Sequence, residues 1–104
     1  MSVLAVTDVD FSEKVAENKQ VVVKYYADWC GSCKLFAPKY KRLSGDERFE
    51  NITFLEVNAE ENPASRKAAG VNNLPSFAIF KDGLHVETIS TSKEEPFVEL
   101  LEKF

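Results

Sequence analysis

Gln20-Val21-Val22-Val23-Lys24-Tyr25-Tyr26-Ala27-Asp28-Trp29-Cys30-Gly31-Ser32-Cys33-Lys34 is the stretch on which the fold turns. Its first seven residues are β-branched and then aromatic, interrupted once by Lys24. A near-continuous apolar run of that length reads as a central strand covered on both faces. The segment from Asp28 to Cys33 reads as a loop feeding a helix from Lys34 to about Leu43. Pro38 falls inside that helix and should kink it. Ser44-Gly45-Asp46 closes it.

The pattern alternates on both sides of this stretch. Val3–Val6 suits a first strand, and Asp8 or Asp10 could cap a helix over Phe11–Asn18, with Phe11 and Val15 on one face. Ile52–Asn58 is a second core strand. Pro63 fits the first turn of a short helix, Pro63–Ala69, stopped by Gly70. Ser76–Phe80 and His85–Ile89 form a hairpin around Lys81-Asp82-Gly83. Lys93–Phe104 closes the chain as an amphipathic helix, with Phe97, Leu100, Leu101 and Phe104 facing the core. The expected order is β-α-β-α-β-α-β-β-α, an α/β class of partly parallel sheet with helices on both faces. We expect one domain, residues 1–104, without repeats or linkers.

Composition narrows the function classes. With 44% apolar and 29% charged residues, the 104-residue chain can bury one core and is not biased toward disorder. A net charge of −4 gives no field that would draw it to nucleic acid or an anionic membrane. No apolar run is long enough to span a bilayer. Met1-Ser2-Val3-Leu4-Ala5-Val6 lacks a basic segment and a full apolar stretch, so we expect no secretory signal, no membrane partner and a cytoplasmic location.

The two cysteines, Cys30 and Cys33, stand three positions apart. A bridge across so short a loop does little for stability, so its chemistry matters more than its architecture. A dithiol exchange site needs one exposed, partly ionised thiol, here Cys30, and a second close enough to resolve the mixed disulfide. At the open end of a helix, free N–H groups and the helix dipole favour a Cys30 thiolate. One turn inside, Cys33 can attack the mixed disulfide that Cys30 makes. Gly31 keeps the loop compact, Trp29 and Tyr26 add flat apolar surface, and Lys34 adds positive charge. The same spacing serves zinc ribbons, but only His85 could supply a further ligand of that kind, so we expect no metal. Two buried structural cysteines are disfavoured because the pair follows a strand and opens a helix.

Ala27-Asp28-Trp29-Cys30-Gly31-Ser32-Cys33-Lys34 resembles the A-x-W-C-G-P-C-K signature of the thioredoxin family. Val71-Asn72-Asn73-Leu74-Pro75-Ser76-Phe77 is similar to its V-x-x-x-P-T segment, Phe80-Lys81-Asp82-Gly83 to its F-K-x-G hairpin, and Asn62-Pro63 to its helix start. The resemblance covers nearly the whole chain. It implies the thioredoxin fold, a central mixed five-stranded sheet flanked by four helices. It also implies a redox-active Cys30–Cys33 disulfide that reduces disulfide-containing client proteins without a bound cofactor. Recycling by an NADPH-dependent thioredoxin reductase and a monomeric state belong to the same expectation. Cys30 would attack and Cys33 resolve. Pro75 would be cis and face the dithiol, and Trp29 and Leu74 would border the client. The alternatives are a thioredoxin-fold binding module, disfavoured by retention of both cysteines, and a more oxidising exchange protein.

Three departures from the family pattern stand out. Ser32 replaces the usual proline between the cysteines, freeing the backbone and adding an N–H and a hydroxyl near the thiolate. A modestly less reducing couple is expected, on a scale where about 30 mV corresponds to about 1.4 kcal/mol. Lys24 stands where the family usually has a buried aspartate, and Glu56 where bacterial members often carry lysine. The two could be a charge swap, the alternative being a Lys24 that reaches solvent. Ser90-Thr91-Ser92 stands where a glycine usually borders the client groove. His85, Glu60-Glu61 and Glu94-Glu95 are read as ordinary surface residues.

Overall fold

The computed structural model describes residues 3–104; Met1 and Ser2, which open the stretch read as lacking a signal, lie outside them. The chain runs β1 (Val3–Ala5), α1 (Phe11–Glu17), β2 (Gln20–Tyr26), α2 (Gly31–Ser44), β3 (Thr53–Asn58), α3 (Pro63–Ala68), β4 (Ser76–Lys81), β5 (Leu84–Ser90) and α4 (Glu94–Leu101). One sheet holds the strands in the order β1-β3-β2-β4-β5. β1, β3 and β2 pair in parallel, and β4 and β5 antiparallel, so the sheet is mixed as expected.

β2 lies at its centre. Its apolar run is buried on both faces because helices cover both. Val21, Val23 and Tyr25 pack with Phe11, Val15, Leu55, Val57 and Phe80 on one side. Val22 packs with Phe36, Tyr40, Phe54, Phe77 and Phe97 on the other. Period-two alternation therefore directs Lys24 and Glu56, which pair in register across β2 and β3, to the α2 side. Phe97, Leu100 and Leu101 of α4 close that layer, so the C-terminal stripe is core packing.

Several boundaries differ from the sequence reading. α2 begins at Gly31, taking in the residues between the cysteines, while its run through Pro38 is as read. α4 stops at Leu101, three residues early, and a 3-10 turn at Glu47–Phe49 buries Phe49. Asp82 and Gly83 both take positive φ, 52° and 83°, as a tight right-twisted hairpin requires.

The helix cap is corrected. Asp10 precedes α1 but its side chain makes no cap bond there; it accepts the Thr7 N–H instead. Asp8 crosses to α3, where Oδ2 accepts the Ala64 N–H (3.1 Å) and Oδ1 accepts the Ser65 N–H (2.8 Å) and hydroxyl (2.6 Å). In return the Asn62 side-chain oxygen accepts the Asp8 N–H at 2.8 Å. Pro63 has no N–H to offer, so the next two amides are the ones that need acceptors.

Candidate active site

The carboxyl end of β2 delivers the chain to the surface, and the helix that follows starts at once. Cys30 is the N-cap of α2, and its Sγ accepts the Cys33 N–H at 3.2 Å. That is one of the free amides at a helix start, and it is aimed at the sulfur that must carry negative charge in exchange. Cys30 and Cys33 are joined as a disulfide, with Cα atoms 5.3 Å apart. One expectation is corrected: Cys30 is not an exposed sulfur here. It is 5% exposed and Cys33 2%, because Ala27, Tyr26 and Leu74 pack around the bonded pair.

Gly31 and Ser32 are exposed in the first turn of α2, and a side chain at Gly31 would meet nothing. Trp29 is 69% exposed beside the disulfide. Its indole N–H donates to Glu60 Oε1 at 3.2 Å, and Arg66 pairs with the other Glu60 oxygen at 3.7 Å. Reading Glu60 as one more solvated acid missed this contact. Its only sequence signal is an acid just after a core strand.

The Leu74–Pro75 bond is cis, Pro75 is buried, and Leu74 lies against the cysteines. The Ser90 hydroxyl donates to the Pro75 carbonyl at 3.2 Å, so the serine standing near the family's glycine position braces this loop. His85 is exposed and within 2.6 Å of the Thr88 hydroxyl.

Lys24 does not reach solvent. It is 4% exposed, and its Nζ lies 3.5 Å from Glu56 Oε1, which keeps partial access to water. The ammonium also faces the rings of Tyr40 (5.1 Å) and Tyr26 (5.5 Å). Burial holds its pKa below the usual lysine range, against the opposing pull of Glu56. Lys24, Glu56 and Cys33 share a cavity of about 220 Å³, lined also by Tyr26, Asp28, Lys34 and Ala37. The strands and α2 thus bring Cys33 and the ion pair into one pocket.

An α/β domain with a two-cysteine redox centre capping the helix after its central strand is the class defined by this geometry. The thioredoxin family model matches residues 2–103. The F-type chloroplastic thioredoxin of Brassica napus is 38% identical over 108 residues, 98% of this chain and 58% of its own length. The thioredoxin of Staphylococcus aureus is 34% identical over 104 residues, 99% of this chain and 98% of its own. A solved complex of ferredoxin:thioredoxin reductase and thioredoxin f2 holds a chain matching at TM-score 0.88 and 33% identity, covering 97% of this chain and 93% of that one. The chain spans about three fifths of the length of two of the curated relatives it matches. It belongs to the thioredoxin family.

Proposed function

We propose that the chain, working as one unit over residues 1–104, reduces protein disulfides by thiol–disulfide exchange at Cys30-Gly31-Ser32-Cys33. The observation that carries this reading is the Cys33 N–H directed at Cys30 Sγ in a helix-capping disulfide. Cys30 as thiolate attacks one sulfur of the client disulfide; a Cys30–client bond forms and the other client sulfur leaves as thiolate. Cys33 then loses its proton and attacks Cys30 Sγ. The intramolecular disulfide forms, the mixed disulfide breaks, and the second client sulfur leaves and is protonated. Two electrons pass from the dithiol to the client.

Glu56, 3.5 Å from Lys24 in the pocket shared with Cys33, is our candidate acceptor for the Cys33 proton. Trp29, Leu74 and the cis Pro75 border the client, and Gly31 and Ser32 shape the turn. A reductase must return the electrons. The solved relative in complex with ferredoxin:thioredoxin reductase supports a reductase partner. For this chain we propose an NADPH-dependent thioredoxin reductase, a cytoplasmic setting and a monomer.

The test is insulin reduction driven by NADPH and thioredoxin reductase. The full chain should accelerate it, Cys30→Ser should abolish it, and Cys33→Ser should accumulate the mixed disulfide. No acceleration with the reductase or with dithiothreitol would overturn the reading. Activity with dithiothreitol alone would overturn only the donor.

A further inference from the structure

Lys24 is the only charged side chain among the buried described residues. Its α2-facing neighbours are apolar or aromatic: Val22 on its own strand, Phe77 on β4, and Tyr40 and Phe36 on α2. Burying an ammonium is costly even when it is paired. Its one anionic partner, Glu56, retains access to water, while Cys33 is 2% exposed and lines the same pocket. The ammonium therefore shares a pocket with a group whose charge changes during exchange.

We propose that Lys24 is a positioning residue that holds the Cys33 sulfur toward its thiolate form in the reduced protein. Coulomb attraction in a poorly hydrated pocket favours the anion, and the effect is greatest where water is excluded. The charged groups facing the pocket are Lys24 from β2, Glu56 from β3, Asp28 from the loop and Lys34 from α2. Tyr26 and Tyr40 are held neutral, their phenols pushed up by burial. Lys34 and Asp28 are exposed and screened and the Glu56 side chain is 30% exposed, which leaves Lys24 as the desolvated charge. A stabilised Cys33 thiolate favours the dithiol over the disulfide and makes the couple more oxidising, in the direction set also by Ser32.

The inference rests on Cys33 being the resolving thiol, and its test does not need turnover. In a Cys30→Ser background the Cys33 thiol is titrated by thiolate absorbance and by the pH dependence of alkylation. Lys24→Met should raise its pKa by about one unit or more, and Lys24→Arg should leave it near the parent value. A second comparison covers a poorly folded Lys24→Met: Lys24→Gln, which keeps Glu56 and a polar head but no cation, should show the same upward shift. A titration indifferent to Lys24 in the comparison that folds, or shifted downward, overturns the inference. Failure of the unmodified chain to reduce insulin, with the Lys24 effect intact, would overturn the functional reading and leave this one standing.

Discussion

Ser32, exposed in the first turn of α2, occupies a position where proline is well tolerated. Proline there removes an N–H and stiffens the turn that brings the two sulfurs together, so it should favour the disulfide. Equilibration of Ser32→Pro with glutathione should show a more reducing couple by about 30 mV, about tenfold in the equilibrium constant. An unchanged or more oxidising couple would refute the explanation. The two sulfurs should also differ in reactivity, because only Cys30 receives the Cys33 N–H at the helix end. Under limiting alkylation of reduced protein near pH 7, Cys30 should be labelled first; preferential labelling of Cys33 would reverse the assigned roles. These residues were legible because their chemistry is written in four consecutive positions, and Lys24 because a charge interrupts an apolar run. Glu60 was not. It meets Trp29 across 31 positions between two loops, and an exposed glutamate beside another looks the same whether or not an indole donates to it.

Helix α3 has only six residues, too few to be stable alone, so its start depends on partners outside it. The sequence showed Pro63 and the Gly70 stop, both local devices. It could not show that the acceptor for the first free amides is Asp8, more than fifty positions upstream. A capping aspartate near Phe11 was the natural reading, and tertiary contact overrode it. Beyond the early end of α4, Phe104 still packs, partly buried, against the α2-side core. The Ser65 hydroxyl, then the Ser65 and Ala64 amides, hold the Asp8 carboxyl below the ordinary aspartate range. A carboxylate depressed in the folded state binds fewer protons there than in the unfolded chain. Its stabilisation is thus complete above the unfolded pKa, about 4, and is lost as pH falls through the folded value. Asp8→Asn should lower the melting temperature at pH 7 and narrow the gap between melts at pH 7 and pH 3. An equal drop at both pH values would mean that the carboxylate charge contributes nothing to docking α3.

The sheet separates two packed layers, and one of them contains a charge. The apolar run of β2 made a strand covered on both faces legible; which layer Lys24 enters, and how deeply it sits, depends on α2 and Tyr40 closing over it. The Tyr40 hydroxyl donates to the Leu55 carbonyl at 2.6 Å and lies 3.1 Å from that of Val22, tying α2 to both central strands around the pair. Removing either partner should therefore be felt by the whole fold, but unequally. Lys24→Met leaves a carboxylate that is 30% exposed and can draw on water. Glu56→Gln leaves an ammonium that is almost wholly enclosed, whose remaining escape is to lose its proton. At pH 7 that escape caps the cost at about 4–5 kcal/mol, set by an unfolded lysine pKa of about 10.4. Glu56→Gln should accordingly be the more destabilising single change, and Lys24→Met/Glu56→Gln should recover much of the loss. The pH dependence follows in sign. With the folded lysine pKa depressed, the unfolded state binds more protons, so stability rises with pH. Denaturant unfolding of Glu56→Gln should therefore show stability increasing from pH 7 toward pH 10, more steeply than in the parent chain. Additive single changes with parallel pH profiles would mean that Lys24 and Glu56 stand close together without depending on each other.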